Sequence, residues 1–150
     1  MGSMLDRASV AEVKAGKISR ADGYLVVSMR LYPRFLAKEL TNEYVKGLSP
    51  DETIFCCYRE FKKQLGDQNR AFQLAGYEQN FALSNQGMKD LARLSAASRN
   101  QNVYLICQCD RHEFCHVDLM LLMAENHFEA RIGNLPYGYP VFRDRLRNGF

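Results

Sequence analysis

The chain has 150 residues, 47% of them apolar, and a formal charge of +3. That is enough apolar side chain for one packed core, and too little positive charge for a dedicated duplex-binding surface, although it suits an anionic ligand. No apolar run approaches the roughly 18 residues of a membrane span, and none of the composition reads as disordered.

Met1 to Ser3, ahead of a second methionine, read as a cloning scar, which leaves residues 4–150 as a single compact domain. Met4 to Arg20 predicts a short helix with Ser9 as N-cap and Glu12 three residues on, closed by Gly16. Tyr24 to Val27 reads as a strand too apolar for an exposed edge, ended by the turn that Pro33 imposes. Ala37 to Gly47 predicts another short helix. A longer amphipathic helix follows over Asp51 to Leu65, with Ser49 as N-cap, Pro50 at the first helical position, and Ile54, Tyr58, Phe61 and Leu65 at helical spacing. Cys56 and Cys57 on that helix are assigned to packing. Helices are expected over Arg70 to Phe81 and from Ser84 to just before Asn100.

Val103 to Ile106 is a β-branched apolar run of the kind that forms a buried strand. Val117 to Met123 continues as a smooth apolar helix beginning near His116. After Asn126 the pattern weakens to a further strand over Phe128 to Ile132, a loop over Gly133 to Pro140, and a basic helix over Val141 to Arg147 whose arginines form a solvated face. Strands separated by helical stretches predict an α/β fold, a small and mostly parallel sheet flanked by helices. Because the connection between the two clearest strands is long and helical, they should run the same way. Their carboxyl ends, Arg30 to Arg34 and Cys107 to His116, then share one edge of the sheet, where open α/β sheets place ligands.

The loop CQCDRHEFCH holds three of the five cysteines and two of the three histidines. With no export signal, these read as reduced thiols of a cytoplasmic protein. Three chemistries fit them. Cys107, Cys109, Cys115 and His116 supply enough ligands for a tetrahedral zinc or iron, at unusual spacing. Alternatively, Cys115 at a helix N-terminus becomes a reactive thiolate with His116 as acid or base and Cys107 beside it, or the helix end cradles a phosphate directly. Third, all three thiols are small buried hydrophobes. His112 is expected in the loop and His127 at the surface or a helix end. Arg30 and Arg34 around Pro33 suit bidentate capture of phosphate or carboxylate, or cover apolar surface with their stems. Tyr32 stacks on a base or plugs the sheet end.

Three stretches together resemble the bacterial and archaeal domain of unknown function 488: LVVSMRLYPRFLAKE, GLSPDET and LICQCDRHEFCHVDLMLL, spanning Leu25 to Met123. The matched positions are Arg30, Pro33, Arg34, Cys107, Cys115 and His116. Two positions depart from the family pattern. Ser28 and Met29 stand where an acidic residue usually precedes the arginine, and Val117 replaces the arginine after Cys-His. The resemblance implies a cytoplasmic α/β domain with a shared pocket and supplies no established reaction. The leading expectation is an enzyme-like site that binds an anionic small molecule or nucleotide, or a nucleic-acid backbone. The competing expectations are a metal-binding module and a binding protein that has lost the chemistry.

Overall fold

The computed structural model describes residues 2–149. Met1 of the expected scar, and Phe150 at the end of the basic tail, lie outside them. Four strands form one sheet: β1 (Leu5–Ser9), β2 (Tyr24–Val27), β3 (Glu43–Tyr44) and β4 (Val103–Cys107). Their order is β1-β4-β2-β3 and every pairing is parallel. The late strand β4 is inserted between two early ones, so its long apolar run is buried on both faces as read. Gly23, just ahead of β2, is required by proximity: a Cβ there would lie 2.4 Å from the Asn102 carbonyl oxygen, which accepts the Tyr24 N–H at 2.8 Å.

Alternation along the strands divides the core. Leu5, Val26, Val103, Leu105 and Cys107 face a thick layer of helices, whereas Ala8, Leu25, Val27 and Ile106 face a thin one. The thin layer holds α1 (Val10–Lys14) with Ile18 and Leu36. The thick layer holds α2 (Glu52–Leu65), α3 (Gln68–Leu74), α4 (Tyr77–Asn80), α5 (Asn85–Ala97), α6 (His116–Phe128) and α7 (Pro140–Arg147). Among the described residues no helix is long and apolar enough to cross a membrane.

Several local expectations hold for their stated reasons. Ser9 caps α1 in a reciprocal box with Glu12, Ser84 caps α5, and Gly66 ends α2 in the left-handed region at φ 65°. Others are corrected. Met4 to Ser9 is strand β1, and only Val10–Lys14 is helical. Between Ala37 and Gly47 there are 3-10 turns at Lys38–Leu40 and Lys46–Leu48 around the short edge strand β3. The N-cap of α2 is Asp51, which accepts the Ile54 N–H, so Ser49 and Pro50 lie outside the helix. Arg70 to Phe81 is split into α3 and α4 by Gly76 at φ 76°. Phe128 to Ile132 yields a single parallel bridge, Leu5 to Ile132, because α6 runs to Phe128. Cys56 and Cys57 are exposed on the outer face of α2, so packing does not account for them.

Candidate functional site

Parallel pairing of β2 with β4 puts Ser28 and Cys107 at one edge, and the Ser28 N–H extends the ladder by donating to the Ile106 carbonyl at 3.0 Å. The side chain of His116 ties the start of α6 to the end of β2: its Nε2 lies 2.8 Å from the Ser28 carbonyl. A carbonyl only accepts, so Nε2 carries the proton. Burial holds the imidazole below its ordinary range, against the pull of that carbonyl. Its Nδ1 lies 3.9 Å from the Cys115 sulfur.

The sulfurs of Cys107, Cys109 and Cys115 all lie within 4.8 Å of one another. Cys107 ends β4 and Cys115 is the N-cap of α6, both buried; Cys109 sits in the intervening loop and is half-buried. Three thiols this close share negative charge unequally. Hydrogen bonds from the Cys107 and then the Cys115 thiol pull Cys109 down to about 3, with burial working against them. Cys107 is pushed up because it is the donor to Cys109. Cys115 is also pushed up, by burial first and then by its two sulfur neighbours. Within the cluster the downward direction thus falls on Cys109, in the loop leading to Cys115, and the upward one on Cys115 itself. Gln68 Nε2 donates to the Cys109 sulfur at 3.1 Å and to the Phe114 carbonyl at 3.3 Å, while its own Oε1 accepts the Tyr58 hydroxyl.

Beneath the thiols lies a charged pair that pattern reading missed. Arg7 of β1 is 4% exposed and donates Nη1 to Asp118 Oδ2 of α6, which is fully buried, at 2.8 Å. Its Nη2 donates to the Asp110 carbonyl. Burial alone would lower the Arg7 guanidinium, but its interactions with the neighbouring Cys115 and Cys107 thiols and with Asp118 outweigh it and hold it firmly protonated. Burial raises the Asp118 carboxyl from its ordinary range, partly offset by Arg7 and by Tyr139. The Tyr139 hydroxyl donates to Asp118 Oδ2 at 2.5 Å and accepts the Cys115 N–H at 3.4 Å. Tyr139 reaches this position from a left-handed backbone at φ 47°, a strained conformation that its buried contacts maintain. The loop is pinned elsewhere too: Arg111 pairs with Glu12 at 2.7 Å, and the Phe114 N–H donates to Asn69 at 2.7 Å.

The arginine segment reaches the same edge but is less enclosed. The Arg30 guanidinium lies over the Phe55 ring at 5.5 Å and donates to the Pro50 carbonyl at 3.4 Å. Tyr32 is half-buried with its hydroxyl 3.3 Å from that of Thr41 and its ring edge-on to Tyr44; Pro33 is half-buried and Arg34 exposed. Two surface depressions, of about 430 and 480 Å³, lie elsewhere and are lined by none of the three cysteines, Arg30 or Arg34. His112 lies in the loop and His127 is exposed near the end of α6, as expected.

Compared with known proteins, the chain matches one family model, described as the active DUF488-N3 subclade (DUF488-N3a), over residues 9–127. No curated protein matches it. No solved structure matches it either.

Proposed function

The chain belongs to the DUF488 family, and on that premise we propose that it is an enzyme using the Cys107, Cys109 and Cys115 cluster for nucleophilic thiol chemistry on a phosphate-bearing ligand. The observation that carries this is the meeting of three sulfurs at the carboxyl edge of a parallel sheet, with one of them only half-buried. Cys109 is the attacking sulfur, and Cys107 and Cys115 hold its charge. His116 fixes the start of α6 against the end of β2. Arg30 and Arg34, with Tyr32 and Pro33 setting their turn, hold the anion, whether on a nucleotide, another small molecule or a nucleic-acid backbone.

Alkylation with iodoacetamide at pH 6, followed by peptide mapping, tests the thiol. Cys109 is expected to label at least tenfold faster than the exposed Cys56; equal rates would refute the assignment. The anion is tested by thermal shift with pyrophosphate and nucleotides on wild type and Arg30→Ala. Saturation at 100 times Kd stabilises by about 2.7 kcal/mol, and that gain should vanish in the variant.

A second reading, a zinc or iron centre, is favoured by the sulfur spacing itself. Zn–S bonds of about 2.3 Å at tetrahedral angles put sulfurs roughly 3.8 Å apart, so the cluster would need a contraction of about 1 Å at most. Cys107, Cys109 and Cys115 would be the ligands, leaving a fourth position open. Elemental analysis of protein purified without chelator, on wild type and Cys107→Ser, distinguishes the two readings: metal at one equivalent, lost in the variant, supports the centre.

A further inference from the structure

We propose that the cluster is also a dithiol–disulfide couple, in which Cys109 takes an oxidising equivalent from a hydroperoxide and Cys115 resolves it. This rests on the reactive-thiol reading and extends it from a single nucleophile to a two-electron centre. Three features carry it. Of the three sulfurs within 4.8 Å, only Cys109 is partly open, so a solvent-borne oxidant meets it first. Cys107 and Cys115 are buried against it, where a sulfenic acid would find a thiol before it found a second oxidant molecule. The buried Arg7 guanidinium, whose charge acts on Cys109, keeps an Nε–H that has no hydrogen-bond acceptor among the described residues.

Geometry chooses Cys115 over Cys107 as the resolving thiol. A bond from Cys109 to Cys107 would close a ring across one intervening residue and distort the end of β4. A bond to Cys115 spans the loop from 109 to 115, whose residues carry no strand ladder.

In the first step the Cys109 sulfur attacks the distal peroxide oxygen. An S–O bond forms and the O–O bond breaks; the departing alkoxide takes a proton from solvent, equal to the one the Cys109 thiol gave up on ionising, and leaves as an alcohol. The second step brings the Cys115 sulfur onto the sulfenyl sulfur: an S–S bond forms, the S–O bond breaks, and water departs with the second proton. Two thiols are oxidised and one hydroperoxide is reduced to alcohol and water. An external thiol reverses the bond by exchange.

The test treats the reduced full-length chain, under anaerobic conditions, with one equivalent of tert-butyl hydroperoxide, and maps disulfides on non-reduced peptides. A Cys109–Cys115 cross-link is expected in wild type, and this map alone decides the outcome whether or not any variant folds. Cys115→Ser should trap a dimedone-reactive sulfenic acid on Cys109, and Cys109→Ser should leave Cys115 unmodified. A wild-type chain whose Cys109 alkylates fast with iodoacetamide yet forms no bond overturns the couple while the nucleophile reading stands. Cross-links confined to Cys107, Cys56 or Cys57 overturn it as well. Slow alkylation together with no bond overturns both readings.

Discussion

Replacing Arg7 with methionine removes one half of a buried ion pair and leaves Asp118, fully buried, with the Tyr139 hydroxyl as its one side-chain donor among the described residues. Breaking a buried pair from one side costs about 3–5 kcal/mol, because the remaining charge is stranded in low dielectric. Against a total stability of roughly 5–15 kcal/mol that is a large fraction. It corresponds to a Tm drop of about 6–20 °C for a chain of this size. The cost should depend on pH in a definite direction. Burial already raises the Asp118 carboxyl, and without Arg7 it rises further, so the variant takes up a proton on folding as pH falls. The deficit of Arg7→Met relative to wild type is therefore largest near pH 8 and shrinks toward pH 5. Because the chain has no tryptophan, urea unfolding followed by circular dichroism at about 222 nm is the suitable assay. The double variant Arg7→Met/Asp118→Leu, which removes both charges, should recover most of the loss. A deficit under about 1 kcal/mol that is flat from pH 5 to 8 would refute the reasoning, since it would mean that Asp118 is not held as a charged partner.

Tyr139→Phe removes a donor to Asp118 and an acceptor for the Cys115 N–H. With both partners buried, the loss should be about 1–3 kcal/mol by urea unfolding. Tyr137→Phe, whose hydroxyl donates to the more exposed His112 carbonyl at 2.6 Å, should cost about 1 kcal/mol or less, and an equal cost for the two would count against the buried network. Glu12 is held below its ordinary range: burial raises it, but hydrogen bonds and charge from Arg111 and the Ser9 cap more than compensate. A carboxyl lowered on folding contributes stability above its unfolded pKa and loses it as pH falls through the folded one. The difference between wild type and Glu12→Gln should therefore be fully present at pH 6 and shrink steadily toward pH 3; a gap that stays constant would sink this account of the cap.

Some of this architecture is legible in the chain and some is not, for physical reasons. Strands β2 and β4 and helix α6 announce themselves because elements buried on several sides need uninterrupted apolar residues. Helices α2 and α5 show by their spacing and by Gly66 and Ser84 at their ends. Strand β1 hides because LDRAS offers only Leu5 and Ala8 as apolar residues, and the capping box at Ser9 draws the eye toward helix. Strand β3 is two residues long, too short for any period to register. In the site, the cysteines and His116 stand out by composition. Arg7 and Asp118 do not, being 111 positions apart. One signal was present: Asp118 interrupts an otherwise apolar helix, VDLMLLM, and an acid buried there requires a cationic partner. Tyr139 carried no such mark, since a loop aromatic near Pro136 and Pro140 reads as surface.

The pair of Arg7 and Asp118 is better understood through the cluster than through stability. A buried ion pair often contributes little net stability compared with apolar residues of the same volume. Here, moreover, Arg7 Nε and Asp118 Oδ1 find no partner among the described residues, each a further cost in a dry interior. What the arrangement does supply is a fixed positive charge beside Cys107 and Cys115, delivered by strand register. Ser9 pairs with Cys107 and Arg7 with Leu105, all on the face that packs against α6. Moving Arg7 by one position along β1 would turn it to the α1 face and replace it with Asp6 or Ala8. A negative charge would then sit under three thiols, or none at all. The parallel pairing of β1 with β4 thus sets the sign of the field at the sulfurs, and that sign decides whether they can share a charge.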